Sequence, residues 1–396
     1  MGTSSTVDQL MRQAAATPGV IGFGGGLPAE AQFPRDELAR SFVRVLRQQG
    51  SPALQYGWPE GLDTLRARIA ARLRARAPTL QLDADDVLVT SGAQQAIAIA
   101  VQLLSSAGDQ IGLDPESYPA ALDLFRARRL QAVALGQGRA AYVMPAVANP
   151  SGLAMSAAAR VALRARQQAI IEDDAYADLR FHGAAEAPLL ADERARARTF
   201  HVGTFSKTLC PGLRVGWLIA PRRLRRRALR LKQTNDLQSN SLAQAVLDDY
   251  LAHHDFDARL AVLRRFYRRR ASRLAEAVRR ALPGWHFVFP EGGFGLWLQT
   301  DDAADEVRLL RAAIAEGVSF DAGSQFRWAR AAGQPLAMRL CFSLARPADF
   351  EEGARRLARA WRSVAGGATR PLPLPQQIRA RSRASVPASA SKNRVR

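Results

Sequence analysis

Short apolar runs alternate with amphipathic segments between about residues 54 and 220 of this chain. The apolar runs are too short for buried helices, and their Val, Ile and Leu content is typical of buried strands. We predict strands at 87–90, 110–113, 141–144, 169–171, 200–203 and 215–219, with helices at 94–104, 120–128 and 157–166. Apolar strands that alternate with amphipathic helices indicate an α/β fold, in which helices cover both faces of a mainly parallel sheet.

The pattern changes after about residue 240, where long helices with arginine-rich outer faces are predicted over 241–281. Short strands are then predicted at 286–289, 294–298, 318–320 and 338–342, with helices at 303–316 and 350–364. Strands and helices in this arrangement are typical of a smaller α+β domain. The last stretch, 366–396, is rich in Pro, Ser and Arg, and we predict that it is disordered.

The chain of 396 residues has a formal net charge of +20, which raises the question of nucleic-acid binding. The tail over 366–396 carries seven basic residues and no acidic one, and the other arginines are spread over predicted helix faces. The sequence has neither zinc-finger spacing nor an aromatic RNA-binding signature. A solvated basic surface is therefore the simpler interpretation, and neither a specific nucleic acid nor a metal site is expected.

Three further features of composition bear on where the protein works. The sequence contains no run of about 18 apolar residues, so no membrane span is predicted. Its first twelve residues lack the apolar core of a secretory signal. Two cysteines, Cys210 and Cys341, do not suggest a disulfide framework. Together these features predict a cytoplasmic protein.

One of only three lysines in this arginine-rich chain, Lys207, stands in a distinctive segment. A lysine amine can lose its proton and attack a carbonyl group, whereas a guanidinium cannot. Thr204 and Ser206 precede Lys207, and Arg214 follows it beyond a Pro-Gly turn; hydroxyls and a guanidinium are suited to a phosphate monoester. An amine beside a phosphate cradle indicates pyridoxal phosphate held as a Schiff base. The alternative is an incidental surface lysine.

Other polar residues follow predicted strands, at the edge where open α/β sheets bind ligands. Gly92, Ala93 and Gln94 open a helix whose N-terminal N–H groups are suited to a phosphate, although an ordinary turn has the same pattern. Three acids follow the strand at 169–171 and are costly there unless they bind something. Among them Asp173, with Tyr176 three residues later, is suited to the pyridine nitrogen and ring hydroxyl of pyridoxal phosphate. An acidic helix start is the alternative.

Three more residues are candidates for contacts with the ring or the substrate. Asn149, in an Asn-Pro turn after a strand, is suited to the ring oxygen or a substrate carboxylate. Tyr118 lies in a loop after a strand and could stack on a ring, although packing is the commoner role of such an aromatic. Arg339 lies inside an apolar strand and needs a partner, which could be a substrate α-carboxylate or a structural acid.

The order of these motifs resembles that of the fold-type I pyridoxal-phosphate enzymes in the class I and II aminotransferase family. The resemblance covers about 23–364 and is nearest to the subgroup of α-aminoadipate and kynurenine aminotransferases and the aminotransferase-like half of MocR regulators. Its most specific stretch is 204–216. Supporting stretches are 24–28, 54–57, 90–95, 118–119, 149–152, 173–176 and 290–293.

The resemblance implies a role for each matching residue. Lys207 matches the Schiff-base lysine, Asp173 the partner of the pyridine nitrogen, and Arg339 the α-carboxylate clamp. Further matches are Tyr176 and Asn149 at the ring hydroxyl, Tyr118 stacked on the ring, Gly25 in the substrate loop, and Gly92, Ala93, Gln94, Thr204, Ser206 and Arg214 around the phosphate. Tyr56 matches a residue that reaches the neighbouring subunit's phosphate, which implies a homodimer.

The resemblance also implies a division of the chain and a reaction. It implies an N-terminal arm at 1–22, a small domain built from 23–50 and 282–365, a large cofactor-binding domain at 51–281 and a basic tail at 366–396. The implied reaction is ping-pong transfer of an amino group from an L-amino acid to a 2-oxo acid. The alternatives are a MocR-like regulator without its winged-helix domain, and a lyase that uses the same cofactor. Ala93, Ala148 and Leu113 depart from common family residues, and these departures concern the substrate more than the cofactor.

Overall fold

The computed structural model describes residues 6–183, 186–302, 304–329 and 334–365 of the chain. The tail predicted at 366–396 lies outside the described residues, as do the first five residues of the predicted N-terminal arm. No helix in the described ranges is both long enough and apolar enough to cross a bilayer.

Eleven strands run through the described residues and form two separate sheets. In chain order they are β1 (Ile21–Phe23), β2 (Leu88–Thr90), β3 (Gln110–Leu113), β4 (Gln131–Ala134), β5 (Ala140–Val143), β6 (Ala169–Asp173), β7 (Thr199–Thr204), β8 (Gly216–Ile219), β9 (Gly295–Thr300), β10 (Val318–Ala322) and β11 (Leu336–Cys341).

The larger sheet has seven strands in the order β2-β8-β7-β6-β5-β3-β4. The five strands from β7 to β4 pair in parallel, and only β8 runs against both of its neighbours. The mainly parallel α/β sheet predicted from the sequence is therefore confirmed. Its central strand β7 is buried along its whole length and β6 at every residue but Ala169, as expected for a sheet covered on both faces.

The smaller sheet has four strands in the order β1-β10-β11-β9. Its strand β1 comes from the start of the chain and pairs in parallel with β10, whereas β10, β11 and β9 pair antiparallel. Segments that are nearly 300 residues apart, Ile21–Phe23 and Val318–Ala322, are thus joined by one ladder.

Helices cover the sheets and connect them. In chain order they are α1 (Thr6–Ala16), α2 (Arg35–Gln48), α3 (Ser51–Leu54), α4 (Asp63–Arg76), α5 (Ala93–Leu104), α6 (Pro119–Ala127), α7 (Ala157–Ala165), α8 (Glu193–Arg196), α9 (Arg225–Asp236), α10 (Ser241–His253), α11 (Phe256–Ala281), α12 (Glu306–Ala315) and α13 (Phe350–Ala365). The helices predicted over 241–281 are α10 and α11, and Asp255 separates them by capping the start of α11 with its side chain on the N–H of Ala258.

The strand predictions differ from the structure in three places. The apolar segment predicted as a strand at 286–289 makes only an isolated bridge between His286 and Gln299. Along the rest of its length the segment pairs with no strand among the described residues, and Val288 is exposed. Conversely, β1 and β4 were not predicted: β1 has only three residues, and β4 is an edge strand that is only partly buried and carries a weak apolar signal.

Candidate active site

The carboxyl ends of β2, β5, β6 and β7 lie along one edge of the larger sheet, because these strands run in the same direction. Thr90 and Thr204 both pair with Gly216 of β8, which brings the residues after β2 next to those after β7. Asp173 ends β6, and Asn149 follows β5. Polar segments that are far apart in the sequence are therefore gathered at one sheet edge.

An uncapped helix start faces a guanidinium at this edge. Helix α5 begins at Ala93, and no side chain of the described residues caps it, so its N-terminal N–H groups are available to an anion. The Nη2 atom of Arg214 donates to the carbonyl of Ser91 at 3.0 Å. A Cβ at Gly92, which has a φ of +86°, would lie 2.6 Å from that nitrogen. Only glycine therefore lets the chain pass this close to the guanidinium.

The two hydroxyl residues predicted from the Lys207 motif, Thr204 and Ser206, are hydrogen-bonded to each other. Thr204 Oγ1 donates to Ser206 Oγ at 3.0 Å, and the N–H of Ser206 donates back to Thr204 Oγ1 at 3.1 Å. The Nζ atom of Lys207 lies 5.6 Å from the centre of the Tyr176 ring. Burial lowers the pKa of Lys207, so a larger share of the amine is neutral than in water. Tyr118 is close enough to act on the charge of this amine.

Two of the three consecutive acids have structural partners. Glu172 accepts hydrogen bonds from two backbone N–H groups at 189–190, at 2.6 and 3.1 Å. Asp174 pairs with Arg76 and with Nε2 of His201. Burial alone would raise the pKa of Asp174, but Arg76 and His201 hold it well below its usual range. These two carboxylates are therefore satisfied within the protein.

The middle acid, Asp173, is buried without a cation. Its Oδ2 accepts from the hydroxyl of Tyr142 at 2.7 Å, and its Oδ1 accepts from the N–H of Ala175 at 3.1 Å. Only 3% of the residue is exposed, and it forms no salt bridge with any of the described residues. Burial raises the pKa of Asp173, while the Tyr142 hydrogen bond opposes that shift. A buried carboxylate without a salt-bridge partner is suited to a cationic group of a bound ligand.

Arg339 connects the two sheets. It lies on β11 of the smaller sheet, and its Nη1 donates to Oδ1 of Asn149 at 2.7 Å, beyond the end of β5 in the larger sheet. Its Nε and Nη2 donate to Oδ2 of Asp321, at 2.9 and 2.7 Å. The N–H of Gly25 donates to the other oxygen of Asp321 at 2.8 Å. Asn149, Arg339 and the glycine loop, predicted separately, therefore meet in one cluster.

Two predicted residues stand apart from this cluster. The side chain of Gln94 donates to the carbonyl of Ala120 at 2.9 Å, so its backbone N–H rather than its amide is directed to the helix start. Tyr56 is 78% exposed and does not contact the cluster within one chain. Its exposure leaves it accessible to a second copy of the chain.

Sequence reasoning missed Tyr142 and Asp321. Tyr142 lies inside an apolar strand, and its contact with Asp173 depends on the register between β5 and β6. Asp321 ends an apolar run after Phe320, so the rule that marked polar residues at strand ends would have found it.

The sequence matches the family described as aminotransferase class I and II over residues 19–136 and 135–357. A 2-aminoadipate transaminase of Thermus thermophilus is 32% identical over 387 residues, which cover 91% of this chain and 94% of that protein. A solved kynurenine aminotransferase of Pyrococcus horikoshii superposes with a TM-score of 0.85 at 28% identity, covering 91% of this chain and 95% of that one. An α-aminoadipate aminotransferase of Thermus thermophilus, solved with N-(5′-phosphopyridoxyl)-L-leucine, gives 0.81 at 29% identity, with the same coverage of both chains.

The chain therefore belongs to the class I and II aminotransferases, and its fold is the fold-type I architecture. It is a pyridoxal-phosphate-dependent aminotransferase. The residues at the sheet edge fit this cofactor by three independent observations. Asp173 is a buried carboxylate without a cation, Lys207 is an amine with a lowered pKa, and Gly92 leaves a gap beside Arg214 at an uncapped helix start.

Proposed function

We propose that the sheet-edge cluster is the active site in which this protein moves an amino group from an L-amino acid to a 2-oxo acid by a ping-pong mechanism. Pyridoxal phosphate supplies an electron sink for negative charge at the substrate's α-carbon. The observation that carries the proposal is the buried carboxylate of Asp173, which has no salt-bridge partner among the described residues and ends β6 beside β7, the strand that Lys207 follows.

The residues of the larger sheet hold the cofactor in this proposal. The phosphate is bound by the helix start at Gly92, Ala93 and Gln94 and by the side chains of Thr204, Ser206 and Arg214. Asp173 holds the proton on the ring nitrogen, because an ionised carboxylate stabilises a neighbouring cation. Tyr176 and Asn149 bind the ring hydroxyl, and Tyr118 stacks on the ring face.

Lys207 is the base in this proposal. A general base works best when its pKa lies near the working pH, and burial moves the Lys207 amine in that direction. The neutral amine takes the proton from the substrate's α-carbon and would pass it to the carbonyl carbon of the cofactor. In the second half of the reaction it would move a proton from that carbon back to the α-carbon of the acceptor. Arginine at this position would keep its charge and could do neither.

Arg339 binds the substrate's α-carboxylate, with the Gly25 loop beside it. The side chain of Arg339 is 10% exposed and is held by Asp321 and Asn149. A guanidinium that is fixed in position loses little entropy when it binds a carboxylate at two points. The α-amino group of the substrate is thereby directed to Lys207.

We further propose that the protein is a cytoplasmic homodimer in which Tyr56 reaches the phosphate site of the partner. The support is an exposed apolar surface on one segment, where Leu54, Tyr56 and Trp58 are 64%, 78% and 80% exposed. Exposed aromatic and aliphatic side chains that lie together commonly mark a protein interface.

Borohydride trapping followed by a donor screen tests the proposed function. Reduction of the loaded protein fixes the cofactor to the peptide that contains Lys207, and mass spectrometry locates it among the three lysines of the chain. Lys207→Ala removes the trapped adduct and nearly all turnover, and Lys207→Arg serves as a matched control because it keeps the positive charge but cannot act as base. Full turnover in Lys207→Ala would refute the proposal.

The donor screen separates transamination from lyase chemistry. A panel of L-amino acids is tested with 2-oxoglutarate or pyruvate as acceptor, and the new amino acid is quantified together with ammonia and carbon dioxide. Transamination forms one amino acid for each 2-oxo acid released. Release of ammonia or carbon dioxide without an acceptor would instead show a lyase.

A further inference from the structure

Asp321 is a buried carboxylate to which neither the proposed chemistry nor the family resemblance assigns a role. It lies on β10 directly opposite Arg339 on β11, and the two residues form a cross-strand pair in the antiparallel ladder. Both side chains are almost fully buried, with 8% and 10% exposed. The pair therefore lies inside the protein at the position where the substrate's carboxylate is proposed to bind.

Arg339 uses three of its guanidinium N–H groups within the protein. A guanidinium has five such groups. Nε and Nη2 each donate one to Oδ2 of Asp321, and Nη1 donates one to Asn149. One N–H on Nη1 and one on Nη2 have no further partner among the described residues, and a carboxylate bound at two points needs two such groups. Asp321 thus occupies one side of the guanidinium, and one N–H on Nη1 and one on Nη2 are left for a carboxylate.

The second oxygen of Asp321 holds the glycine loop. Oδ1 accepts the N–H of Gly25 at 2.8 Å, so one carboxylate binds both the loop and the guanidinium. The loop passes over the guanidinium closely, because a Cβ at Gly26 would lie 2.7 Å from Nη2 of Arg339. The guanidinium also lies 4.7 Å from the centre of the Phe326 ring, and the Cγ and Cδ atoms of Arg339 pack against Gly295. Loop and guanidinium are therefore held in one fixed arrangement.

We propose that Asp321 is a positioning residue that fixes Arg339 and the Gly25 loop together, so that the remaining N–H pair is directed to the α-carboxylate of the amino acid. This inference rests on the proposed role of Arg339. Asparagine cannot replace Asp321, because its single acceptor oxygen cannot serve both the loop and the guanidinium, and its amide would oppose one set of donors. The carboxylate therefore sets substrate affinity without touching the substrate.

The test uses Asp321→Asn in the cofactor-loaded enzyme, with Asp321→Ser as a second variant in case the first folds poorly. We expect KM for the amino acid to rise about tenfold or more while kcat changes less than about threefold, since binding common to ground and transition states is lost. We also expect the amide of Gly25 to exchange with deuterium about tenfold faster or more, because its hydrogen bond is removed. Asp249→Asn, which alters a partly buried pair with Arg44 outside the site, should leave both readouts unchanged.

The outcomes separate this inference from the proposed function. An unchanged or lowered KM, an equal loss in kcat, or unchanged exchange at Gly25 in both Asp321 variants would overturn the positioning role. Arg339→Ala is measured in parallel. If Arg339→Ala raises KM and Asp321→Asn does not, only the positioning role fails; if Arg339→Ala leaves KM unchanged, the proposed carboxylate site itself fails.

Discussion

The hydroxyl of Tyr142 is expected to set the acid limit of cofactor binding, although Tyr142 does not belong to any recognised motif of the chain. It is 1% exposed and donates to Asp173 at 2.7 Å. A hydrogen bond to a charged acceptor contributes about 1.5–3 kcal/mol, and one pKa unit corresponds to about 1.4 kcal/mol. Tyr142→Phe is therefore expected to raise the pKa of Asp173 by about one to two units.

The direction of the change in pH dependence follows from which protonation state of Asp173 binds the cofactor. In the proposed site the ionised carboxylate would hold the protonated ring nitrogen, and the Tyr142 hydrogen bond favours the ionised form. Without it, protonation begins at higher pH, and cofactor affinity is lost earlier as the pH falls. At low pH, where Asp173 becomes protonated (the acid limb), the dissociation constant of the cofactor should be about 10- to 100-fold higher in Tyr142→Phe than in wild type. At pH values well above this range the two constants should be equal.

The assay is a cofactor titration by absorbance across the acid and neutral range. Tyr250→Phe removes the same hydroxyl from a buried tyrosine of α10 outside the site and should leave the limb in place. An acid limb that does not move in Tyr142→Phe would refute the reasoning. A loss of affinity that is equal at every pH would also refute it, because that pattern indicates damage to packing rather than a shifted carboxylate.

Two further predictions concern the phosphate side of the site. Gly92→Ala should weaken cofactor binding more than Gly108→Ala, as measured by titration: both positions have a positive φ, +86° and +90°, but only the Cβ at Gly92 meets Arg214. Equal losses in the two variants would show that backbone strain alone is responsible. For Tyr56, Tyr56→Phe should lower cofactor affinity in both sites of the proposed dimer. A hybrid of Tyr56→Phe with Lys207→Ala should restore one site with wild-type cofactor affinity, and a hybrid whose active site keeps the lowered affinity of Tyr56→Phe would contradict the crossing of Tyr56.

The fold and the cofactor half of the site could be predicted from the sequence because their signals are local. Lys207, Thr204 and Ser206 lie within four residues of one another, and Asp173 directly ends an apolar strand. In a parallel sheet the carboxyl ends of strands share one edge, so strand assignment alone brings such residues together. The alternation of side chains along β6 also implies that Asp173 faces away from its two acidic neighbours.

The remaining parts of the site depend on non-local register. The bond from Tyr142 to Asp173 requires that β5 and β6 pair with one particular offset, and the pair of Asp321 and Arg339 requires one register between β10 and β11. A shift of one residue in either ladder would turn these side chains to opposite faces. Tyr56 depends on a second copy of the chain, which a single sequence does not place.

The two sheets carry different parts of the proposed site, which has consequences for turnover. The groups suited to the cofactor follow strands of the larger sheet, whereas Arg339 and Asp321 lie on the smaller sheet, and the bond from Arg339 to Asn149 joins the two halves at 2.7 Å. A shift of the smaller sheet would therefore move the proposed carboxylate clamp relative to Lys207 while the proposed phosphate site stays in place. Misplacement of reacting groups by about 1 Å can cost on the order of 100-fold in rate. Substitutions that shift the smaller sheet or the glycine loop should therefore lower turnover of the amino acid and leave cofactor affinity unchanged.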